Sequence, residues 1–497
     1  MFGAANCSVA SRIAHKSLIQ NSVSFIDGAF SDAYSTKALA VFNPATGVRE
    51  GDIPSQGKEA TAKAIEAAST ALPLWRDTLP TKRADLLRRL SVEMKKHAAD
   101  LARIMTMECG KPFLEAMGEN AYSAGYVDWY AGEAERVCGD LVASPRPGVR
   151  SLVMKQPCGV VGVITPWNFP SAMITRSAAA ALAAGCTVVI KPSELTPFSA
   201  GALAQLVHEV GIPKGVFNVV TGEARDIGRE LLDSNAVRKI CFTGSTRVGK
   251  YLMSESAHTV KKLAMELGGN APFIVFPDAD ISSAATAAIA SKFRNAGQTC
   301  VCANRFLVHV SVADAFVAEF AKKAQALVVG DGSVEGTTMG PLITRAACDR
   351  MESLVQDAVS KGATVVTGGH KVKQDASHHF FQPTVLSHAT PSMKVFQEEI
   401  FGPIAPVVTF KTDEEAIQLA NAVPVGLASY FFTNDYRRQW RMSEKLDYGM
   451  VGVNEGVLSS NIAPFGGVKQ SGLGRDGSKY GIEGFLDIKY VCMGGGI

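Results

Sequence analysis

GVVGVITPWNFPSAMITRSAAAALAAGCTVVIKP, residues 159–192, sets two apolar runs on either side of an alanine-rich segment. GVVGVIT reads as a buried strand, SAMITRSAAAALAAG as a helix, and TVVIKP as a second strand. Gly185 stands where the helix should stop, since glycine accepts the left-handed conformation that ends many helices. The rhythm continues: FSAGALAQLVHEVG is a helix, and VFNVVTG and KICFTG are strands with helices after each. Strand–helix alternation of this kind predicts an open parallel sheet. Such sheets bind ligands at the carboxyl ends of their strands. TPWN, KPSE and FTGST each directly follow a strand and are the places to look.

Upstream, residues 58–140 carry helical periodicity, broken by SPRPG at 144–148. Downstream, a second alternating block starts near NAPFIVF and runs to about residue 475, through RFLVHV, ATVVTGG, PVVTF and YFFT. The tail FLDIKYVC reads as a final strand, and GDLVAS and RSLVMKQP in 136–156 are extended segments able to pair with it. No repeat or low-complexity stretch interrupts this plan.

The 497 residues are 47% hydrophobic and 20% charged, an ordinary globular composition with room for several cores. A net charge of +3 gives no reason to expect nucleic acid as a partner. Ten scattered cysteines without a C-x-x-C fit a reducing compartment and offer no zinc ribbon. The uncharged run 156–175 is long enough to span a membrane, but Pro157, Pro166, Pro170 and Asn168 argue against it. The first 26 residues lack Asp and Glu and carry Arg12 and Lys16, which fits either a mitochondrial presequence or a short extension. The expected location is the mitochondrial matrix or the cytoplasm.

Two motifs are decoys. GSTRVGKY (244–251) ends on Tyr251, where a nucleotide triphosphatase needs a hydroxyl for magnesium. It still opens a helix after a strand, so a pyrophosphate role survives. GLGRDG (472–477) has no strand-like run before it and reads as a loop. The adjacent His378 and His379 read as loop residues too.

TPWNFP (165–170), KPSE (191–194), FTGST (242–246), ELGG (266–269), GQTC (297–300), EEIFGP (398–403) and PFGGVKQSG (464–472) occur in a telling order. In that order they resemble the NAD(P)-dependent aldehyde dehydrogenase superfamily, from about residue 17 to the C-terminus. SAMITR, FRNAGQTCVC and GVKQSGLGRDGSKYG narrow the resemblance to its semialdehyde-oxidising branch. The resemblance implies two open α/β domains, a Rossmann-like cofactor domain (17–135 and 157–267) and a catalytic domain (268–475). It adds a small β oligomerisation arm (136–156 and 476–497), an extension at 1–16, and a homodimer or homotetramer.

It also implies roles. Cys300 is the nucleophile, whose thiolate needs local stabilisation. Asn168, with the Cys300 backbone N–H, is the oxyanion donor; its segment alone would read as a turn. Glu266 is the general base, where residue type alone would suggest a helix-end carboxylate. For the cofactor, the resemblance implicates Thr165, Trp167, Lys191, Glu194, Gly244, Ser245, Glu399 and Phe401. A carboxylate at Glu194 accepts from a ribose 2′-hydroxyl and repels a 2′-phosphate, favouring NAD while leaving NADP possible. Arg176, Arg294 and Ser459 match a carboxylate-binding set, suited to succinate semialdehyde or to glutarate semialdehyde. Cys302 is either a redox partner of Cys300 or a small buried thiol, and C-x-C without further cysteines makes no metal site. The rivals of a different class are a cysteine hydrolase and a non-catalytic binding protein.

Overall fold

A computed structural model describes residues 13–19, 22–35, 37–372 and 379–495. Residues 1–12, which carry part of the presequence-like composition, and His378 lie outside the described residues, while His379 sits in an irregular segment. No helix among the described residues is long and apolar enough to cross a membrane.

The opening stretch folds as strand Val160–Ile164, helix Ala172–Ala184 and strand Thr187–Lys191. Gly185 ends the helix in the left-handed conformation at φ 95°. Every residue of that helix is buried. Alanine makes this possible, because it is the best helix former and lets neighbouring backbones come close. Helix Lys58–Asp77 lies nearby and buries Trp75, whose Nε1 donates to Leu182 O at 3.2 Å.

Five strands pair in parallel in the order Phe217–Val219, Thr187–Lys191, Val160–Ile164, Val237–Thr243, Lys262–Glu266. The chain starts this set at Val160–Ile164, builds to one side, then crosses to the other. The strand order therefore reverses beside Val160–Ile164, and the loops after it and after Val237–Thr243 diverge around a crevice. A second sheet of seven strands runs Thr364–Thr367, Thr384–Ser387, Ile404–Phe410, Ala303–His309, Ala271–Val275, Ala428–Phe432, Met450–Val453. Both sheets are largely parallel, as expected for an α/β protein with two open sheets. The third sheet is antiparallel, Leu486–Met493 with Arg150–Pro157 and Asp140–Val142, the pairing anticipated for the tail.

GLGRDG departs from its expected loop. Gly472–Leu473 is a short antiparallel strand on the edge of the first sheet, with Gly472 opposite Glu266. The miss is physical: two residues carry no period, and their partner lies far away in sequence. The pairing is close. Gly472 has φ +136°, and a Cβ there would stand 1.8 Å from Met265 O. Gly472→Ala is therefore expected to cost on the order of 1–3 kcal/mol or more, seen as a lower thermal midpoint. Gly228→Ala, in a helix with nothing within 4 Å of the new methyl, should leave the midpoint unchanged or raise it.

Candidate active site

The carboxyl edge of the first sheet faces the amino edge of the second. Glu266 ends strand Lys262–Glu266, not a helix, and the chain enters the second sheet at Ala271. Cys300 lies just before strand Ala303–His309. Between the edges is a cavity of about 540 Å³. Its wall includes the expected Cys300, Glu266 and Asn168, then Trp167, Gly244, Ser245, Glu399 and Phe401, and also Arg176, Arg294 and Ser459. Thr165, Lys191, Glu194 and Cys302 lie outside that wall. Three of the nine described non-glycine residues in left-handed backbone belong to this region: Phe401 on the wall, and Asn295 and Ala296 just before Cys300, at φ 52°, 50° and 54°. Such conformations persist only where the surroundings hold them, and they concentrate at functional sites. Phe401 meets Trp167 edge-on, with ring centroids 5.7 Å apart.

The electrostatics of the three central groups differ from expectation. Burial pushes the Cys300 thiol up to about 12. Arg176 opposes the shift, while Glu399, Glu266 and Cys302 add to it. Enclosure outweighs the opposing charge of Arg176 and favours the protonated thiol. Burial, then the charge of Asp476, holds the Glu266 carboxyl well above its ordinary range against Arg176 and Arg475. Glu266 Oε2 has no hydrogen-bond partner among the described residues. Asn168 Nδ2 donates to Gln298 O at 3.0 Å, two residues before Cys300, while its Oδ1 is unpartnered. An amide has two N–H donors, so one remains to face the cavity.

The two arginines are not equivalent. Arg176 has no solvent exposure, and its Nε lies 2.7 Å from Asp476 Oδ2, an ion pair whose N–H points off the oxygen. Its Nη2 donates to Thr243 Oγ1 at 3.1 Å, and its guanidinium lies 4.6 Å from the Phe465 ring centre. Nη1 has no partner among the described residues. Burial works against its charge, but Asp476 and the tyrosines outweigh it and raise the pKa further. Arg294 is half-buried over the Phe169 ring at 5.5 Å.

The sequence pattern of the aldehyde dehydrogenase family matches residues 30–491. The chain belongs to the aldehyde dehydrogenase family. It is 52% identical over 471 residues to "Glutarate-semialdehyde dehydrogenase" of Pseudomonas aeruginosa, covering 95% of this chain and 97% of that one. It is also 52% identical over 469 residues to "Succinate-semialdehyde dehydrogenase, mitochondrial" of Arabidopsis thaliana, covering 94% and 88%. A crystal structure of an "E. coli NADP dependent enzyme" superposes with a TM-score of 0.96 at 49% identity, covering 97% of this chain and all of that one.

An NAD(P)-dependent aldehyde dehydrogenase needs room for a dinucleotide, and the residues here fit one. Ser245 caps helix Thr246–Ser256, its Oγ accepting from Val248 N–H, directly after strand Val237–Thr243. That helix start presents N–H groups and a positive dipole end, suited to pyrophosphate. Two strands along the same edge, Lys191 Nζ lies 2.6 Å from Glu194 Oε2. Burial opposes the Glu194 charge, but Lys191 outweighs it and keeps the carboxylate ionised. Thr165 N–H donates to Lys191 O at 3.0 Å, joining the two loops. A Cβ on Gly268 would meet Glu399 Oε2 at 2.8 Å, so the missing side chain is what lets Glu399 approach the backbone of this aldehyde dehydrogenase so closely. Glu399 Oε1 accepts from Gly269 N–H at 3.0 Å, and burial pushes that carboxyl up to about 7.

Several residues were missed by the sequence reading. Asp476, inside the segment read as a loop, carries the ion pair to Arg176. Lys111, two residues before helix Phe113–Ala134, and Glu115 and Glu119 on that helix line the same cavity. The spacing of four between Glu115 and Glu119, which puts them on one helix face, was the available signal for that pair. Cys302 is the other surprise. Its Sγ lies 3.3 Å from Gly297 O and 3.9 Å from the buried Lys292 Nζ, behind the cavity wall. A disulfide with Cys300 has to draw it out of that seat.

A protonated resting thiol has a direct consequence. Without cofactor, alkylation of Cys300 by iodoacetamide should rise about tenfold per pH unit from 7 to 9, because only the thiolate reacts. Mass spectrometry of the Cys300 peptide measures this; a flat rate across that range would mean a thiolate already formed.

Proposed function

We propose that this aldehyde dehydrogenase oxidises succinate semialdehyde to succinate, with NAD as the favoured acceptor. The observation that carries the reading is the presence of Arg176, Arg294 and Ser459 on the wall of the cavity that contains Cys300. Two guanidiniums and a hydroxyl suit a substrate carboxylate. The free Nη1 of Arg176 and the Arg294 guanidinium are the donors available to it.

In this reading Cys300 loses its thiol proton to water in the cavity, Sγ forms a bond to the aldehyde carbon, and the carbonyl oxygen becomes an oxyanion. Asn168 Nδ2 and the Cys300 N–H stabilise that oxygen; losing one such donor typically costs about 2.7–4 kcal/mol. Bound NAD(P) supplies the hydride acceptor that turns the carbon into a thioester. Glu266 then takes a proton from water as the water attacks the thioester, releasing the acid and the Cys300 thiolate. Enclosure of Glu266 favours proton uptake, which suits a base that must hold a proton briefly.

Glutarate semialdehyde is the second reading, supported by the Pseudomonas aeruginosa relative's name. It is one methylene longer, and an apolar wall separates such substrates by only about 1–3 kcal/mol. The carboxylate site is tested by kcat/KM for both semialdehydes and for an uncharged aldehyde. Arg294→Ala is expected to lower both semialdehydes by at least about tenfold, the scale of one lost charge-assisted hydrogen bond, and to spare the uncharged aldehyde. Equal loss for all three would remove the carboxylate reading.

For the nucleotide, the ionised Glu194 supports NAD, while the name of the E. coli structure supports NADP as the alternative. Glu194→Gln should shift the ratio of kcat/KM values toward NADP, with little change in kcat on NAD. We further propose that the chain divides as its three largest sheets do, with cofactor-binding, catalytic and arm parts. The antiparallel arm carries exposed Leu141, Ile488 (72%) and Tyr490 (62%), apolar surface suited to a second copy. Ile488→Asp should shift light-scattering mass toward the monomer.

A further inference from the structure

Behind Asn168 lies a buried ion pair for which the proposed reaction has no use. The Lys111 and Glu119 side chains are 1% and 0% exposed and touch directly. Lys111 Nζ also donates to Asn168 O at 2.8 Å and lies 4.1 Å from the centre of the Phe169 ring. Glu119 Oε1 accepts from Ser171 N–H at 3.0 Å and Ala172 N–H at 3.2 Å, the start of the helix that carries Arg176. Asn168 O takes a second bond, from Asn295 Nδ2 at 3.1 Å, while Asn168 Nδ2 reaches Gln298 O. Residue 168 is thus fixed from both ends. Its carbonyl is held by Lys111 and Asn295, and its amide by the loop that bears Cys300.

A buried ion pair is not needed for stability here. Apolar or amide side chains of similar size often serve as well, because desolvating two charges offsets their attraction. What the pair supplies is direction: a charged donor makes a shorter, stronger bond to a carbonyl than a neutral one. From this geometry we infer that Lys111, seated by Glu119, is a positioning residue that sets the Asn168 amide against the oxygen of the carbon bonded to Cys300. The inference rests on the proposed role of Asn168.

The test is a double-mutant cycle on NADH formation, with a small uncharged aldehyde so that carboxylate recognition does not contribute. Lys111→Met/Glu119→Gln removes both charges together and leaves neither alone. Its kcat should fall on the order of tenfold or more, since a displacement near 1 Å costs up to about a hundredfold. KM for NAD should stay within about twofold, because no cofactor contact changes. Asn168→Ala alone should lose about 10²–10³ in kcat. Adding the neutral pair to Asn168→Ala should then cost less than about twofold more, the mark of two changes acting through one group.

An equal loss in both backgrounds overturns the inference, and so does an unchanged kcat in the neutral-pair variant. Full activity of Asn168→Ala overturns the role of Asn168, and the inference with it; wild-type turnover reads separately whether the aldehyde is a substrate. Lys111→Arg keeps the charge and moves the donor. If the neutral pair proves too unstable to assay, the same cycle with Lys111→Arg decides by the same non-additivity.

Discussion

Parallel pairing of Val160–Ile164 between Thr187–Lys191 and Val237–Thr243 is the constraint on which the rest depends. Because this strand is both first in the set and internal, its neighbours were built in opposite directions. The loops beyond it part, and Asn168 and Ser245 end on opposite sides of one crevice. Glu266 arrives at the same edge one strand further along. The second sheet then needs only a short link to present Cys300 across the gap. No long loop is required to bring the chemistry together.

Much of this was legible in the sequence because the signals were local. Apolar runs of strand length, an alanine-rich helix and a glycine stop are contained within a few residues each. The loops that follow them could therefore be placed without a structure. Glu266 was harder. Its residue type and the two glycines after it fit a helix end as well as a strand end, and only pairing with Val237–Thr243 separates the two. Gly472–Leu473 has no local signal at all; it is a strand because Glu266 has an open edge there. Asp476 and Lys111 were missed for a related reason. Their meaning lies in partners brought close by tertiary packing, and no spacing rule connects position 176 with 476.

Charge inside the cavity is arranged in pairs and exceptions. Lys111 with Glu119 and Arg176 with Asp476 are close ion pairs, while at Glu266, Glu399 and Cys300 burial outweighs the nearby cations and shifts each group toward its protonated form. Burial alone would treat all of these groups alike. The partner decides which charge survives, and so which group remains available for proton transfer. The pairs act as fixed walls, and the exceptions are the groups that can change state.

The edge strand Gly472–Leu473 carries a consequence for biosynthesis. The strand ending in Glu266 leaves the ribosome about two hundred residues ahead of its final neighbour, a contact of long sequence separation that closes late. The same terminal stretch goes on to pair with Arg150–Pro157. During translation the first sheet therefore waits with an uncovered margin, open to wrong partners, until residues 472–473 emerge. The strand that carries Glu266 gains its last neighbour only then, so the surroundings of the base are completed late in synthesis.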